Sequence, residues 1–224
     1  MFLILKRFID IFLSFISIIF ISPIFILIVI ILKLSAEGEV LYLQERIGYK
    51  QKKFWIYKFV TMVKDSPNIG SRDITLRNDP RVTFVGKFLR ITKTNELPQL
   101  FNILFGDISI VGPRPLMEEG FKRYSTYYQK NIYNIKPGLT GIGSIIFRDE
   151  EKIITESKLE PHECYKNHIL PYKGELEMWY QNKNSIIIDF KIIFLTAWLI
   201  FYPKSKLFLK IFKDLPKNKI LNII

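Results

Sequence analysis

The chain opens on a run of apolar positions that is long for a buried element. Residues 11–32, IFLSFISIIFISPIFILIVIIL, hold no charged side chain; Lys6, Arg7 and Asp10 precede them and Lys33 follows. At about 1.5 Å per residue such a helix matches a hydrocarbon core of roughly 30 Å. A core helix keeps a polar face, a signal-peptide apolar run is shorter, and no A-x-A site follows, so membrane insertion is expected. Ser22-Pro23 falls in the middle of the run. Proline removes a backbone donor and crowds the carbonyl four residues back, while a serine hydroxyl can satisfy the carbonyl so freed. Two readings stay open: a kinked helix that spans, or a helix–break–helix that enters and leaves on one face. Basic charge near both ends gives the positive-inside rule little asymmetry and suits re-entry.

Beyond residue 36 the pattern shortens. VLYLQ and FWIYKFV, within residues 39–61, read as two strands around a polar link from Gly48 to Lys53. Residues 65–81 form a loop rich in Asp, Asn, Ser and Pro. Helix resumes over Phe84–Leu89 and over Leu97–Leu104, with Asn95 as cap, Pro98 in the permissive first turn and Gly106-Asp107 as the stop. Gly112-Pro113-Arg114-Pro115 is a stiff turn that fixes where Arg114 points. A charged, tyrosine-rich amphipathic helix is expected from Leu116 to about Tyr133, its Tyr124, Tyr127 and Tyr128 serving packing. KPGLTGIG (136–143) is a turn-rich loop, without the preceding strand that a dinucleotide fingerprint needs. Residues 148–182 are polar and helical, and Ile186–Tyr202 with Lys204–Lys213 suit interfacial helices with a basic face. The expected fold is α+β and mostly helical. It has a broken, re-entrant membrane helix at 1–36, then a domain at 37–224 with a β-hairpin, a compact helical body and amphipathic C-terminal helices.

Composition narrows the partners. The 224 residues carry a formal net charge of +12, from 33 Lys and Arg against 21 Asp and Glu, and 49% are hydrophobic. Such an excess implies an anionic partner: nucleic acid, anionic lipid or a phosphorylated small molecule. The basic residues are spread along the chain and no nucleic-acid module is recognisable, so nucleic acid is not expected. One cysteine, Cys164, allows no internal disulfide, and with only His162 and His168 beside it a Cys/His zinc site is disfavoured. No P-loop, Gly-x-Ser-x-Gly elbow or H-E-x-x-H occurs.

The stretch Leu89–Pro115 sets Arg90, Thr94, Asn95, Glu96, Gln99, Asp107 and Arg114 among apolar residues. Polar groups in apolar surroundings must be bonded or wet. Arginine grips phosphate by a planar fork, carboxylate holds Mg²⁺, and amides add neutral hydrogen bonds. Arg90 and Arg114 bracket Glu96, and Asp79 with Arg81 lies in a second polar turn upstream. The plain alternatives are a solvated helix start at Glu96 and a self-paired turn at Asp79 and Arg81. At a membrane, with an anionic partner required, the set suits a reaction between a soluble diphosphate and a membrane-bound phosphate.

KRFID (6–10), the Ser22-Pro23 pair, QERIGYKQKKFWIYKFVTM (44–62), DPRVTFVGKFLR (79–90), ELPQLFNILFGDISIVGPRP (96–115) and KPGLTG (136–141) occur in order. In these motifs the chain closely resembles the bacterial sugar transferases of the small polyprenol-phosphate phosphoglycosyl transferase type. The resemblance runs from Lys6 to about Gly141 and more faintly to the end. It implies a monotopic enzyme of the bacterial inner membrane, its domain at the cytoplasmic face. Such an enzyme moves sugar-1-phosphate from a UDP-sugar to undecaprenyl phosphate and releases UMP, the first membrane step of glycan assembly. The implied partners are those two substrates and membrane lipids, with a homodimer allowed, and the implied cofactor is Mg²⁺. By resemblance Glu96 is the metal-associated glutamate, and Arg90 and Arg114 serve substrate phosphate. Gln99, Asp79, Arg81 and Asp107 are candidate supports. In the family an aspartate attacks the β-phosphate, and Asn95 stands at its position. An amide is not a competent nucleophile toward phosphate. Glu96 or Asp107 acting instead, direct attack by the lipid phosphate, a non-catalytic binding homologue and an engineered substitution are the alternatives. Val60, where arginine is usual, and Ser144, where glutamine is frequent, are lesser departures.

Overall fold

In the computed structural model, which describes residues 2–35, 38–64, 66, 79–157 and 159–218, the apolar run forms one helix, α1 (Phe2–Ser35). The expected break at Ser22-Pro23 is corrected to a helix that runs through its proline. Pro23 offers no N–H to the Ile19 carbonyl, and the Ser22 hydroxyl donates to that same oxygen at 2.8 Å.

Both ends of α1 are seated on the rest of the chain. Near its start Lys6 pairs with Asp189 at 2.5 Å, and Arg7 donates to the Ile103 and Leu104 carbonyls at 2.6 and 2.8 Å. Asp10 accepts from the Ser109 hydroxyl at 2.7 Å and the Ile110 N–H at 3.0 Å. Near its end Ile28 and Leu32 are buried with Phe59 and Leu89. Between them Ile18 and Ile21 pack on Leu100, Ile103 and Ile108, and the Phe25 ring lies 4.8 Å from that of Phe59. Lys6 to Leu32 covers about 39 Å of helix. Phe8, Phe12, Phe15, Phe20, Leu27 and Leu34 along the same helix are exposed.

The expected hairpin forms: β1 (Leu41–Ile47) pairs antiparallel with β2 (Lys53–Phe59), Leu41 opposite Phe59 and Ile47 opposite Lys53. Alternation puts Gln44, Arg46 and Lys58 on one face of it. The loop expected over 65–81 lies outside the described residues except for Ser66 and Asp79–Arg81. α2 (Phe84–Ile91) follows, capped by the Thr83 hydroxyl. α3 (Gln99–Phe105) starts two residues later than expected. Asn95 does not cap it: Thr94–Glu96 form a 3-10 turn whose hydrogen bonds carry the chain onward, and the cap position falls on Pro98. Gly106 ends α3 at φ 95°, its N–H on the Asn102 carbonyl, as glycine permits.

A short parallel pair, β3 (Ser109–Val111) with β4 (Gly138–Thr140), was not foreseeable from strands of three residues. It brings two turns into backbone contact, since a Cβ on Gly138 would stand 2.1 Å from the Gly112 nitrogen. The glycines of KPGLTG thus serve close packing. The single helix expected over Leu116–Tyr133 is instead α4 (Glu118–Lys122), α5 (Thr126–Asn131) and a 3-10 turn, divided where Ser125 takes an extended conformation. α6 (Ile142–Ile146), α7 (Glu150–Glu156) and α8 (Pro161–Cys164) lead through a π turn into α9 (Leu170–Lys183), then α10 (Ile186–Phe201) and α11 (Leu207–Ile211). Val111, Ile142, Tyr172, Leu176, Ile192 and Phe208 are among the residues of the main core; Cys164 is packed in it, while His162 and His168 are exposed. α2 and α10 also leave several apolar side chains outside. α2 exposes Phe84, Phe88 and Ile91 while burying Leu89, and α10 exposes Ile187, Phe190 and Phe194 while burying Ile192 and Leu195.

Asn102 joins α3 to the hairpin. Its fully buried carboxamide accepts from the Tyr57 N–H at 3.0 Å and donates to the Trp55 carbonyl at 2.8 Å and to Asp107 at 3.0 Å. Asn102→Leu leaves these groups buried and unpaired, so a loss of about 2–4 kcal/mol is expected. Thermal unfolding in detergent checks it, and an unchanged midpoint would count against the role.

Candidate functional site

The hairpin, the α2–α3 connection and the GPRP turn converge on Glu96. Lys93, left-handed at φ 60°, turns the chain after α2 and delivers Thr94–Glu96 as a tight turn. A left-handed non-glycine residue is uncommon and marks a position held by its surroundings. Opposite, Arg114 is aimed by a turn whose backbone is bonded at several points. The Gly112 N–H donates to the Thr140 carbonyl at 3.0 Å, the Pro113 carbonyl accepts from Gly138, and the Arg114 carbonyl accepts from the Tyr133 hydroxyl at 2.9 Å. The Pro115 carbonyl accepts from Arg46 at 3.2 Å. The result is an Arg114–Glu96 ion pair at 2.5 Å.

The surroundings of this pair are cationic. Burial pushes the Glu96 carboxyl up, but the charges of Arg114 and Lys58, the hydrogen bond from Arg114 and the charge of Lys93 outweigh it and hold it at about 2. Lys58 lies well below the usual lysine range, first because it is buried and then because Arg46, Arg114 and Arg90 are near. Burial likewise lowers Arg46 to about 10, with Arg114 adding to the effect. Gln44 accepts from both Arg46 and Lys58. Three buried polar atoms here find no hydrogen-bond partner among the described residues: Asn95 Oδ1, Gln99 Nε2 and Arg46 Nε. Among the described residues Glu96 faces Arg114, Lys58 and Arg46 together, a cationic setting that suits an anionic ligand.

The sequence candidates separate into two groups. Glu96, Asn95, Arg114 and Gln99 come together, and Arg90, in the last turn of α2, is near enough to act on Lys58 and Asp79. Asp79 and Arg81 form a buried, bidentate pair in which Arg81 also donates to the Ser66 carbonyl. Asp107 sits past the C-terminal end of α3, bonded to Asn102, one helix length from Glu96; this corrects its expected place beside the site. Ser22 and Pro23 lie in α1 and take no part. Val60 packs in the cluster of Phe59 and Leu89, and Ser144 Oγ is buried without a partner among the described residues. Sequence reasoning missed Lys58, Arg46 and Gln44. Their signal was present: polar residues at alternate positions of strands otherwise aliphatic and aromatic.

Among the described residues no three His, Cys, Asp or Glu side chains converge as a metal cage would require. Glu96 and the orphaned Asn95 oxygen make a smaller donor set. That set fits Mg²⁺ carried chiefly by a diphosphate, an ion bound with one or two carboxylates and several phosphate or water oxygens.

Comparison with known proteins gives the family. A family model described as bacterial sugar transferase matches residues 1–203. The chain is 36% identical over 208 residues to a UDP-glucose:undecaprenyl-phosphate glucose-1-phosphate transferase of Klebsiella pneumoniae, covering 91% of this chain and 41% of that protein. It is 32% identical over 201 residues to an undecaprenyl-phosphate glucose phosphotransferase of Komagataeibacter xylinus, covering 85% and 35%. The exopolysaccharide production protein ExoY of Sinorhizobium fredii is 33% identical over 171 residues, covering 70% and 75%. The chain therefore spans about two fifths of the first relative's length and three quarters of the rhizobial one. On the family match and these identities, the chain belongs to the bacterial sugar transferase family.

Proposed function

We propose that the chain is a membrane-bound phosphoglycosyl transferase that moves sugar-1-phosphate from a UDP-sugar to undecaprenyl phosphate, releasing UMP. The observation that carries this reading is the Arg114–Glu96 pair set among Lys58, Arg46 and Arg90. The barrier to joining a diphosphate and a monophosphate is their mutual repulsion, and fixed cations lower it. Arg114 and Arg46 neutralise the donor diphosphate, with Lys58 beside them. Glu96 and Asn95 Oδ1 hold Mg²⁺, which supplies further charge neutralisation when bound. Glu96 is committed to Arg114 and Asp107 is remote, so the described carboxylates favour direct attack. An acceptor phosphate oxygen bonds to the β-phosphorus, and the bond from that phosphorus to the bridging oxygen breaks as UMP leaves.

Membrane placement follows the same logic. A helix standing across the bilayer would leave one end away from a domain on a single side, yet Lys6 and Leu32 both rest on the domain. Insertion of α1 from one face without crossing, with 37–224 at the cytoplasmic face of the inner membrane, reconciles this with the apolar surface of α1. The exposed stripe of α2 ends within one turn of the Lys93–Glu96 segment, so a lipid phosphate reaches the site from the membrane surface.

Purified protein with undecaprenyl phosphate, Mg²⁺ and UDP-glucose, UDP-galactose or UDP-N-acetylgalactosamine is expected to release UMP. No UMP from a broad sugar panel would sink the proposal. Glu96→Gln is expected to lower kcat by roughly 100-fold or more. In direct attack, labelled UMP does not exchange into UDP-sugar without acceptor; exchange in the natural sequence, or activity appearing only in Asn95→Asp, would overturn that route. Burial and neighbouring cations push Lys58 down and a bound phosphate pushes it back up, so nucleotide binding is coupled to proton uptake and affinity weakens as pH rises. Calorimetry of UMP binding in buffers of different ionisation enthalpy measures that uptake, which Lys58→Met is expected to remove.

A further inference from the structure

Past the last turn of α10 the chain changes character. Residues 203–217, PKSKLFLKIFKDLPK, fold back along the body as a strap that includes α11. Its inner side is fixed. Phe208, Phe212 and Leu215 are buried in the main core, the Pro216 carbonyl accepts from the Tyr172 hydroxyl at 2.9 Å, and the Ser205 hydroxyl accepts from the Trp198 indole at 3.0 Å. Its outer side is basic: Lys204, Lys206, Lys210, Lys213 and Lys217 are exposed. Asp214, the one acidic residue of the strap, is taken from α9 by Lys183 and by the Trp179 indole. Among the described residues the strap lysines have no carboxylate partner.

A row of lysines on its own is a solvated surface. What lies beside this one points to a lipid. α10 leads into the strap, and its outward side is apolar from Ile187 through Phe190 and Phe194 to Phe201. Toward its end the rings of Phe194, Trp198 and Tyr202 stack in sequence, 6.1 and 4.3 Å between centroids. Tryptophan and tyrosine at the end of an apolar stripe are the side chains that sit at headgroup level. At its start α10 is joined to α1, through Lys6 and Asp189 at 2.5 Å. The strap lysines thus follow an apolar surface that adjoins α1 and closes in aromatic rings, which is where a bilayer places its phosphates. Clusters of roughly four to eight cationic side chains in such a position attract anionic lipid. A soluble phosphate is served less well, because lysines spread along a strap are separate point charges and not a fork closing on one ligand.

We propose that residues 204–217 form a lipid-selecting surface that gathers anionic phospholipid, of the phosphatidylglycerol class, in preference to zwitterionic phospholipid beside α10. The family match ends at residue 203, just before the first of these lysines, and the proposal neither needs nor tests sugar transfer. Trp198 reports on the surface directly. Trp55→Phe removes the exposed indole of the hairpin and leaves Trp198 with Trp179, which is buried in the core. With this full chain in phosphatidylcholine bilayers, fluorescence quenching by brominated phosphatidylglycerol is compared with quenching by brominated phosphatidylcholine at equal mole fraction. The anionic lipid is expected to be preferred about 5-fold or more, the value of roughly one lysine at an anionic headgroup. The preference is expected to vanish in about 1 M KCl, where screening sets in within about 3 Å. It is also expected to vanish when Lys204→Gln, Lys206→Gln, Lys210→Gln and Lys213→Gln are combined. These side chains are exposed, so the combined variant is expected to melt with its parent in pure phosphatidylcholine; if it does not fold, the salt comparison on the parent decides. Equal quenching by the two lipids would overturn the proposal, as would a preference that survives both salt and the substitutions. Quenching by neither lipid would overturn it too, since α10 would then not meet the bilayer. So would a Trp198 response to inorganic phosphate or a short RNA without any lipid preference, which would give the strap to a soluble anion.

Discussion

The last turn of α3 has carbonyls that its own helix cannot satisfy, and much of the molecule is arranged around satisfying them. Arg7 takes those of Ile103 and Leu104, Gly106 returns its N–H to Asn102, and Lys136 Nζ reaches the Gly106 carbonyl at 2.7 Å. The first of these contacts comes from the start of the membrane helix and the last from the turn before β4. One helix end therefore ties together the apolar anchor, the hairpin through Asn102, and the strand pair that aims Arg114. The opposite end of the same short helix follows directly on Glu96. Position at the site is in this sense a consequence of charge neutralised seven residues away.

The site holds its polar groups in a state that water would not choose. Lysine and arginine are kept near one another around Glu96, and three polar atoms are buried without a partner among the described residues. Each of these carries a cost in the free protein. A diphosphate would relieve the crowded cations and the two unpaired donors, Arg46 Nε and Gln99 Nε2, together, since its oxygens accept from guanidinium, ammonium and amide N–H alike. Binding strength and the instability of the empty site are then the same quantity seen from two sides.

Elements with a periodic pattern were legible in the sequence: the apolar helix, the hairpin with its turn at Gly48, the short helix closed by Gly106, and the two C-terminal helices. Those set by distant backbone contacts were not. Three-residue strands such as Ser109–Val111 have no period to detect, and their pairing with Gly138–Thr140 depends on glycines meeting across the fold. The helix expected from Leu116 divides because Ser125 prefers to start a helix rather than continue one. At the site, Glu96 and Arg114 could be read from a polar cluster in apolar surroundings. Lys58 and Arg46 could not be assigned there, because strand alternation says which face a residue takes and not what lies opposite.

Asn102 also changes what the small sheet can do. Its carboxamide presents one acceptor and one donor to the outer edge of β2, as a residue of a third strand would, and the Ile47 N–H on the other edge is taken by the Leu116 carbonyl. A two-stranded ribbon is ordinarily open to pairing with another chain on both sides. Here a single side chain stands in for the missing neighbour. Copies of the protein crowded on a membrane would meet with those edge positions already filled, which turns a residue of internal packing into a guard against self-association.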